Sequence, residues 1–147
     1  MQTFVPEYSF GEIAAVLDPR RLFKQAVETK QIYLALTVPG YGWQSHPAVR
    51  MWEGCCPALL RYGSVMVDYA VDVYGYRSDV LQPWYRSFDL ESFSDAPLPV
   101  WWGDGRVHFS HRAALFRKDP FWYPQYAYEA ELFADYFWPD ARRFVPD

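Results

Sequence analysis

One uninterrupted helical pattern, bounded by proline on both sides, constrains the fold more than any other feature. The chain of 147 residues has 12 prolines and 8 glycines, yet none of them falls between Arg20 and Leu36. Mostly apolar residues recur there at helical spacing: Leu22, Ala26, Thr29, Tyr33 and Leu36. Asp18 is a good N-cap, Pro19 suits the first helical position, and Pro39-Gly40 ends the pattern. The sequence therefore predicts one long helix over about 20–36.

The same signals predict the other elements. Ser9 and Glu12 have capping-box spacing and predict a short helix through Leu17. Further helices are expected over about 47–54, 57–74, 110–118 and 129–138. Between residues 77 and 106, prolines and glycines break every helical pattern and no alternation indicates a strand, which predicts a long irregular loop. The predicted fold class is all-α, a compact single-domain helical bundle of residues 1–147.

Composition supports a globular chain, because 51% of the residues are hydrophobic and 22% are charged. Aromatic residues make up 20%, and they either fill the core or form an exposed stacking surface. Tyr8, Trp43 and Trp52 are expected in the core. The neighbouring Cys55 and Cys56 close no useful loop, so they are expected to be buried small residues and not a disulfide.

The formal net charge of −4 argues against a uniformly basic nucleic-acid binder, although a local basic face is compatible with it. The charges segregate along the chain. Early cations are Arg20, Arg21, Lys24 and Lys30, and late acids are Glu129, Glu131, Asp135, Asp140 and Asp147. The sequence contains no signal-peptide pattern and no apolar stretch that could span a membrane. A cytoplasmic protein without an obligate protein partner is expected.

Charged residues on the long helix form the first candidate site. Arg21, Lys24, Glu28 and Gln31 are spaced three, four and three residues apart, so one helix face is expected to carry them. A solvated face with a Lys24–Glu28 pair is one interpretation. The other is a carboxylate held among cations beside a phosphate-binding strip, suited to proton transfer at a DNA sugar. The spacing alone leaves both open.

A second candidate site combines cations with aromatic rings: Arg112, Arg117, Lys118, Trp122 and Tyr123. Such a combination suits contacts with unpaired bases, and it also fits a surface helix beside an aromatic core cluster.

The histidines give a weaker signal. His108 and His111 are three residues apart, with His46 and Asp104 elsewhere in the chain. No third ligand lies at a diagnostic distance, so capping or core hydrogen bonding is favoured over zinc. No metal and no cofactor is predicted.

Three segments together resemble a known family. The run LDPRRLFKQAVE over residues 17–28 resembles the catalytic-helix segment of the phage pyrimidine-dimer DNA glycosylases, the endonuclease V type. The run GWQSHP over 42–47 is similar to a segment of bacterial relatives. Residues 110–126 resemble the family's C-terminal end, where a helix precedes a Pro, one residue and a Trp-Tyr pair near the DNA. Together these segments cover about half of the chain in matching order.

The resemblance implies an all-α DNA-repair glycosylase with AP-lyase activity on damaged pyrimidines in double-stranded DNA. In the family, an N-terminal α-amine attacks the anomeric carbon and forms a Schiff base, and a helix glutamate assists. The family also kinks the duplex and flips a base out. On this basis Glu28 is the catalytic carboxylate and Trp122-Tyr123 the aromatic pair. Arg21 occupies the position of a family histidine. The DNA-binding cations are Arg21, Lys24, Arg112, Arg117 and Lys118.

The chain departs from the family pattern at three further positions. Val27 and Gln31 replace two family arginines around the catalytic glutamate. Gln2 is large enough to prevent removal of the initiator methionine, which makes the amine of Met1 itself the expected nucleophile. The alternative is a non-catalytic module on the same fold, binding DNA or a protein through the tryptophans of residues 77–106. The identity of the damaged base stays open.

Overall fold

The computed structural model describes residues 1–139 as a set of packed helices. The α-helices are α1 (Phe10–Val16), α2 (Pro19–Thr37), α3 (Pro47–Arg50), α4 (Cys56–Tyr74), α5 (Leu81–Arg86), α6 (Gly105–Lys118) and α7 (Ala127–Leu132). Short 3-10 helices occupy Leu90–Phe93 and Pro124–Tyr126. No strand occurs in this part of the chain. The all-α prediction is confirmed.

The caps expected from the sequence start the first two helices. Ser9 Oγ accepts the Glu12 N–H at 3.2 Å and begins α1. Asp18 accepts the Arg21 N–H at 3.3 Å and begins α2, with Pro19 in the first turn. Because each cap satisfies a backbone N–H that the helix itself leaves unpaired, the two helix starts are fixed locally.

The centre of the molecule is the contact between α2 and α4. Gly63 of α4 permits this close approach, since a Cβ there would lie 2.5 Å from the Thr29 Cγ2 of α2 and 2.2 Å from the Tyr85 Oη. The helix α4 ends at Gly75, whose φ of 71° is the left-handed conformation that glycine adopts without strain. Around this contact lies one hydrophobic cluster, whose largest fully buried members are Trp52, Trp101, Tyr62 and Tyr123.

The predicted loop over 77–106 contains more helix than expected. Ser78 Oγ accepts the N–H of Leu81, the first residue of α5, at 3.0 Å. Pro83 does not interrupt α5, because it lies in the first turn, where a backbone N–H has no partner within the helix. The end of the loop is also helical, because Asp104 caps α6 by accepting the Arg106 N–H at 3.0 Å. The helix α6 therefore begins at Gly105, and the predicted start of this helix at about residue 110 was wrong.

Two predicted helices are shorter than expected. The first, α3, ends at Arg50 and is followed by turns up to Gly54, which has a positive φ of 78°. The last, α7, ends at Leu132 because the chain after it packs back onto α6. There Arg117 Nη1 donates to the Phe133 carbonyl at 2.6 Å, and the Phe137 N–H donates to Ser110 Oγ at 3.0 Å.

Several burial predictions can be checked directly. Trp52 is fully buried as expected, but Tyr8 and Trp43 are exposed. Both cysteines are free and only half-buried, with thiol pKa values raised by burial. None of the helices within residues 1–139 is long and apolar enough to cross a membrane. Asp140 and Asp147 lie outside the described residues. The single-domain organisation and the cytoplasmic location stay predictions.

Candidate active site

The first residues of the chain lie in the core and not on the surface. Residues 2–5 are all buried, with no helix or strand to satisfy their backbone. Their hydrogen-bond partners on α2 are two side chains one turn apart. Glu28 Oε2 accepts the Gln2 N–H at 3.3 Å, and Gln25 Oε1 accepts the Phe4 N–H at 2.8 Å. Residues 1–5, the N-terminal segment, are thereby attached along α2.

Side chains from α4 and α6 hold the same segment from the other side. His111 Nδ1 accepts the Val5 N–H at 2.9 Å, and His108 Nδ1 lies 2.7 Å from the Val5 carbonyl oxygen. The Tyr62 hydroxyl donates to the Phe4 carbonyl oxygen at 2.6 Å. A buried backbone without partners is costly, so these side chains are what allow the segment to enter the core.

The outer end of the N-terminal segment opens into a cavity of about 430 Å³, here called the N-terminal cavity. Met1 lies at its wall together with one carboxylate, Glu28. The remaining charged wall residues are all cations: Arg20, Arg21, Lys24 and Lys118. Concave sites with converging charges of this kind are typical of binding and catalytic sites. Because the net charge of the whole chain is −4, this cavity is a local basic region on an acidic protein.

Opposing influences act on Glu28 in this cavity. The residue is only 8% exposed, and burial raises the pKa of its carboxyl. Four groups lower the pKa of Glu28, but burial outweighs them. They are the Gln2 N–H and the charges of the N-terminal amine, Lys24 and Lys118. A carboxyl with a raised pKa exchanges protons closer to neutral pH, as general acid–base catalysis requires.

Three of the four residues on the predicted charged face of α2 share the N-terminal cavity. Lys24 Nζ lies 3.9 Å from Glu28 Oε1, and the Lys24 side chain is 67% exposed. Arg21 is also paired, with its Nη1 3.2 Å from Asp18 Oδ1. Gln31, the fourth, lines a second cavity of about 440 Å³ beside Val27. The solvated-face interpretation is wrong for Glu28, which is buried.

The predicted DNA-binding cations of α6 lie in different environments and make different contacts. Lys118 faces the N-terminal cavity. Arg117 is exposed and donates to the Phe133 carbonyl at 2.6 Å. Arg112 is a correction: its guanidinium lies 3.1 Å from a Glu7 carboxylate oxygen and 3.3 Å from one of Glu129, so it is engaged within the fold.

The predicted aromatic pair also separates. Tyr123 is fully buried, so its ring offers no surface to DNA, and this prediction is corrected. Its hydroxyl donates to Asp18 Oδ1 and accepts the Asp18 N–H at 2.9 Å, which fixes the start of α2. Trp122 is 43% exposed and donates through Nε1 to the Val16 carbonyl at 2.9 Å. Phe121, which the sequence did not single out, is the most exposed large apolar side chain of the described part at 97%.

The other candidate groups take structural positions. His108 and His111 hold Val5, in agreement with the predicted core hydrogen bonding, and residues 1–139 contain no cluster of metal-ligand side chains. In the 77–106 segment, Trp101 is buried and donates to the Met51 carbonyl at 2.6 Å. Trp84 packs edge-on against Tyr33. Trp84 and Trp101 are therefore engaged in packing or hydrogen bonding within the fold.

Sequence reasoning missed five residues of the N-terminal cavity as site residues, of which Gln2 and Phe4 belong to the N-terminal segment. Arg20 and Gln25 both lie on α2, and their helical spacing from Arg21, Lys24 and Glu28 could have indicated them. Tyr136 comes from the extended chain after α7, packed against Phe4 and His111. Its position depends on the tertiary fold, and no local pattern points to it.

Comparison with known families identifies the class of protein. The family model described as pyrimidine dimer DNA glycosylase matches residues 1–79, which is more than half of the chain. The chain therefore belongs to the pyrimidine dimer DNA glycosylase family. Neither the curated proteins nor the solved structures gave a match. The matched part contains Met1, the α2 cations and Glu28, whereas Lys118 and Trp122 lie beyond it. Membership gives the protein the general role of a DNA-repair glycosylase with a DNA substrate.

Proposed function

We propose that this protein is a DNA glycosylase with AP-lyase activity, in which the α-amine of Met1 is the nucleophile and Glu28 the general acid and base. The carrying observation is that the chain's first residue and a buried carboxylate share one cationic cavity. The substrate is a damaged pyrimidine in double-stranded DNA, in keeping with the family.

The proposed reaction uses the two groups in turn. The neutral amine attacks C1′ of the damaged nucleotide, a C–N bond forms, and the glycosidic bond breaks as the base leaves with a proton. The nitrogen lone pair then forms a C=N bond as the C1′–O4′ bond breaks and O4′ takes up a proton, which gives an iminium that keeps one N–H and draws electrons from C2′. Glu28 removes the C2′ proton, the C3′–O bond breaks, and the phosphate is the leaving group. Water then hydrolyses the iminium and frees the amine.

Charge around the cavity supports binding of the DNA backbone. Arg20, Lys24 and Lys118 are exposed and lie at the cavity wall. Cations placed this way neutralise phosphates next to the reacting sugar, and each contact adds salt-dependent affinity. Arg21 shares its charge with Asp18 and contributes less. Arg117 and Trp122, exposed near the end of α6, would extend the contact along the duplex.

Borohydride trapping on a duplex with one abasic site tests the proposal. The wild-type protein should give a covalent adduct that maps to Met1. Glu28→Gln should lower the rate of strand cleavage by about 10²–10⁴-fold, the usual contribution of a general acid–base group. Glu53→Gln is the matched control, because Glu53 is an exposed carboxylate paired with Arg50 outside the cavity. Adduct formation at a lysine, or full cleavage by Glu28→Gln, would contradict the proposal.

Stability distinguishes a catalytic effect of Glu28→Gln from unfolding. Burial raises the folded-state pKa of Glu28 above its ordinary value of 4.5. The folded state then binds more protons, so ionised Glu28 lowers the free energy of unfolding as pH rises from 4.5 through the raised pKa. A neutral glutamine escapes this cost, and urea unfolding at pH 7 should show Glu28→Gln at least as stable as wild type.

An amine nucleophile also makes the position of the chain end decisive. One glycine added before Met1 displaces the amine by up to about 3.6 Å. This change leaves every buried side chain intact, so the variant should fold and bind DNA but form little adduct. Wild-type trapping by the extended protein would rule out Met1 as the nucleophile. Specific DNA binding by a folded wild-type protein that forms no adduct would instead support the binding module.

A further inference from the structure

Gln25 differs from the other residues that hold the N-terminal segment, because it lies on the same helix as Glu28. The two side chains are three residues apart and project from one face of α2. Gln25 accepts the Phe4 N–H at 2.8 Å and Glu28 accepts the Gln2 N–H at 3.3 Å. Within residues 1–139, these are the two α2 side chains that hydrogen-bond to the backbone of the segment.

Gln25 also takes part in a closed set of hydrogen bonds. The Tyr62 hydroxyl lies 3.1 Å from Gln25 Oε1 and donates to the Phe4 carbonyl at 2.6 Å. Both backbone groups of Phe4 are therefore bonded to side chains that also contact each other. Gln25 is 1% exposed and Tyr62 fully buried, so water cannot replace either bond.

The register of the segment decides whether the amine can reach Glu28. A shift by one residue would move Met1 by about 3.3–3.6 Å, which exceeds the range over which a base can accept a proton directly. The bond from Glu28 to Gln2 is long and involves the proposed catalytic group itself, so it is a weak anchor. The shorter and fully buried bond from Gln25 to Phe4 is the stronger one.

We propose that Gln25 is a positioning residue: it fixes the register of the N-terminal segment on α2 and thereby the distance between the Met1 amine and Glu28. The part of this proposal that concerns catalysis rests on the proposed function. Gln25 does not touch the reacting atoms in this scheme, and it acts through the backbone of Phe4.

Gln25→Met tests this role, because methionine has a similar length but no comparable acceptor. Tyr85→Phe is the matched control. It removes a buried hydroxyl that donates to the Ala26 carbonyl of α2 at 2.7 Å, without contact to the N-terminal segment. Gln25→Met removes the acceptor of the Phe4 N–H and of a 3.1 Å contact with the Tyr62 hydroxyl, and Tyr85→Phe removes the donor to Ala26, so each variant is expected to lose some global stability.

The first measurement is amide hydrogen exchange followed by NMR, which does not depend on activity. Protection of the Phe4 and Gln2 amides should fall in Gln25→Met by much more than global stability explains, and Tyr85→Phe should show no such local loss. Gln25→Glu keeps an oxygen acceptor and should restore the protection of Phe4. Equal local protection in Gln25→Met and Tyr85→Phe would overturn the proposal.

The second measurement is the single-turnover rate of borohydride trapping at saturating abasic-site duplex. Gln25→Met should lower this rate by about 10–100-fold with little change in DNA affinity, since a displacement of about 1 Å can cost that much. Tyr85→Phe should trap like wild type. Equal rates in both variants, with an active wild type, would reject the functional part alone. A wild type without any adduct would reject the proposed function, and hydrogen exchange would still decide the role of Gln25.

Discussion

Arg112 and Lys118 lie on the same helix and looked equivalent in the sequence, but the fold places them in two different environments. Arg112 is enclosed by Glu7 and Glu129, donates to the Pro6 carbonyl at 2.6 Å, and stacks near the Tyr126 ring. Lys118 is exposed at the wall of the N-terminal cavity and makes no ion pair within residues 1–139. The first is an enclosed cluster in which one arginine is paired with two carboxylates. The second belongs to a surface with an excess of cations.

The difference lies in where the compensating carboxylates are. Two acids face one arginine in the Arg112 cluster, whereas one buried carboxylate, Glu28, faces several cations in the N-terminal cavity. A compensated cluster stabilises the fold and has no remaining capacity for a phosphate. An uncompensated one contributes little to stability and attracts an anion. Basic residues therefore have to be judged by their partners before a binding role is assigned to them.

At neutral pH, the largest effect is expected from breaking the compensated cluster. Arg112→Met leaves the Glu7 and Glu129 carboxylates without their cation and should lower the free energy of unfolding by about 3 kcal/mol. Arg106→Met is the control, because it removes an exposed ion pair with a shorter N–O distance of 2.7 Å to Asp104. Urea unfolding should show a much smaller change for the control. Similar losses in both variants would contradict the contrast between enclosed and exposed pairs.

The next effect is a loss of stability in acid, which we expect from protonation of the buried His111. Burial lowers the pKa of His111 to about 3, from an ordinary value of 6.5. The neutral His111 ring, which accepts the Val5 N–H, therefore makes its full contribution to the free energy of unfolding above pH 6.5. That stability is lost as pH falls from 6.5 towards 3, at about 1.4 kcal/mol per pH unit for one proton.

The variant His111→Gln isolates this effect, because it keeps a neutral acceptor for the Val5 N–H but cannot be protonated. Between pH 6.5 and 4, its free energy of unfolding should depend less steeply on pH than that of wild type. All other titrating groups are shared by the two proteins, so the difference in slope reports His111. Identical slopes would show that His111 is not held neutral in the folded protein.

The smallest effect on stability is expected in the cavity. Lys24→Ala and Lys118→Ala should each change the free energy of unfolding by less than about 0.5 kcal/mol, because both side chains are exposed. Each should nevertheless weaken binding to duplex DNA several-fold and lower the salt dependence by about one phosphate contact. Lys30→Ala is the matched control, since Lys30 lies on the other side of α2 over the Trp84 ring at 5.5 Å. Equal DNA affinity in all three variants would remove the phosphate-binding role of the cavity.

Local signals in the sequence were sufficient for the long helices. The caps Ser9 and Asp18 act within one turn and lie where their patterns predicted, and the helix expected to end at about residue 74 does so before Gly75. Residues whose effect depends on their position within a helix were interpreted wrongly. Pro83 and Gly105 looked like breakers but lie in first turns, where they are tolerated.

For the site, the sequence identified the helix but not the way the chain enters it. The spacing on α2 and the family resemblance indicated Arg21, Lys24 and Glu28, and these residues line one cavity. The roles of Arg112 and Tyr123 could not be predicted, because their partners Glu7 and Asp18 are about a hundred residues away in the chain. The burial of Gln25 follows from its contact with Phe4, which is also a tertiary feature.

The bonds between Val5 and the histidines of α6 set an order of events during synthesis. The partners of Val5, His108 and His111, emerge from the ribosome more than a hundred residues after it. At about 5–20 residues per second, the ribosome needs roughly 5–25 s to reach the end of α6. Until then the N-terminal segment has no place in the core and the cavity has no complete wall. A nascent or truncated chain lacking α6 is therefore expected to be inert towards DNA, because the N-terminal segment with the proposed nucleophile becomes organised only after α6 has been made.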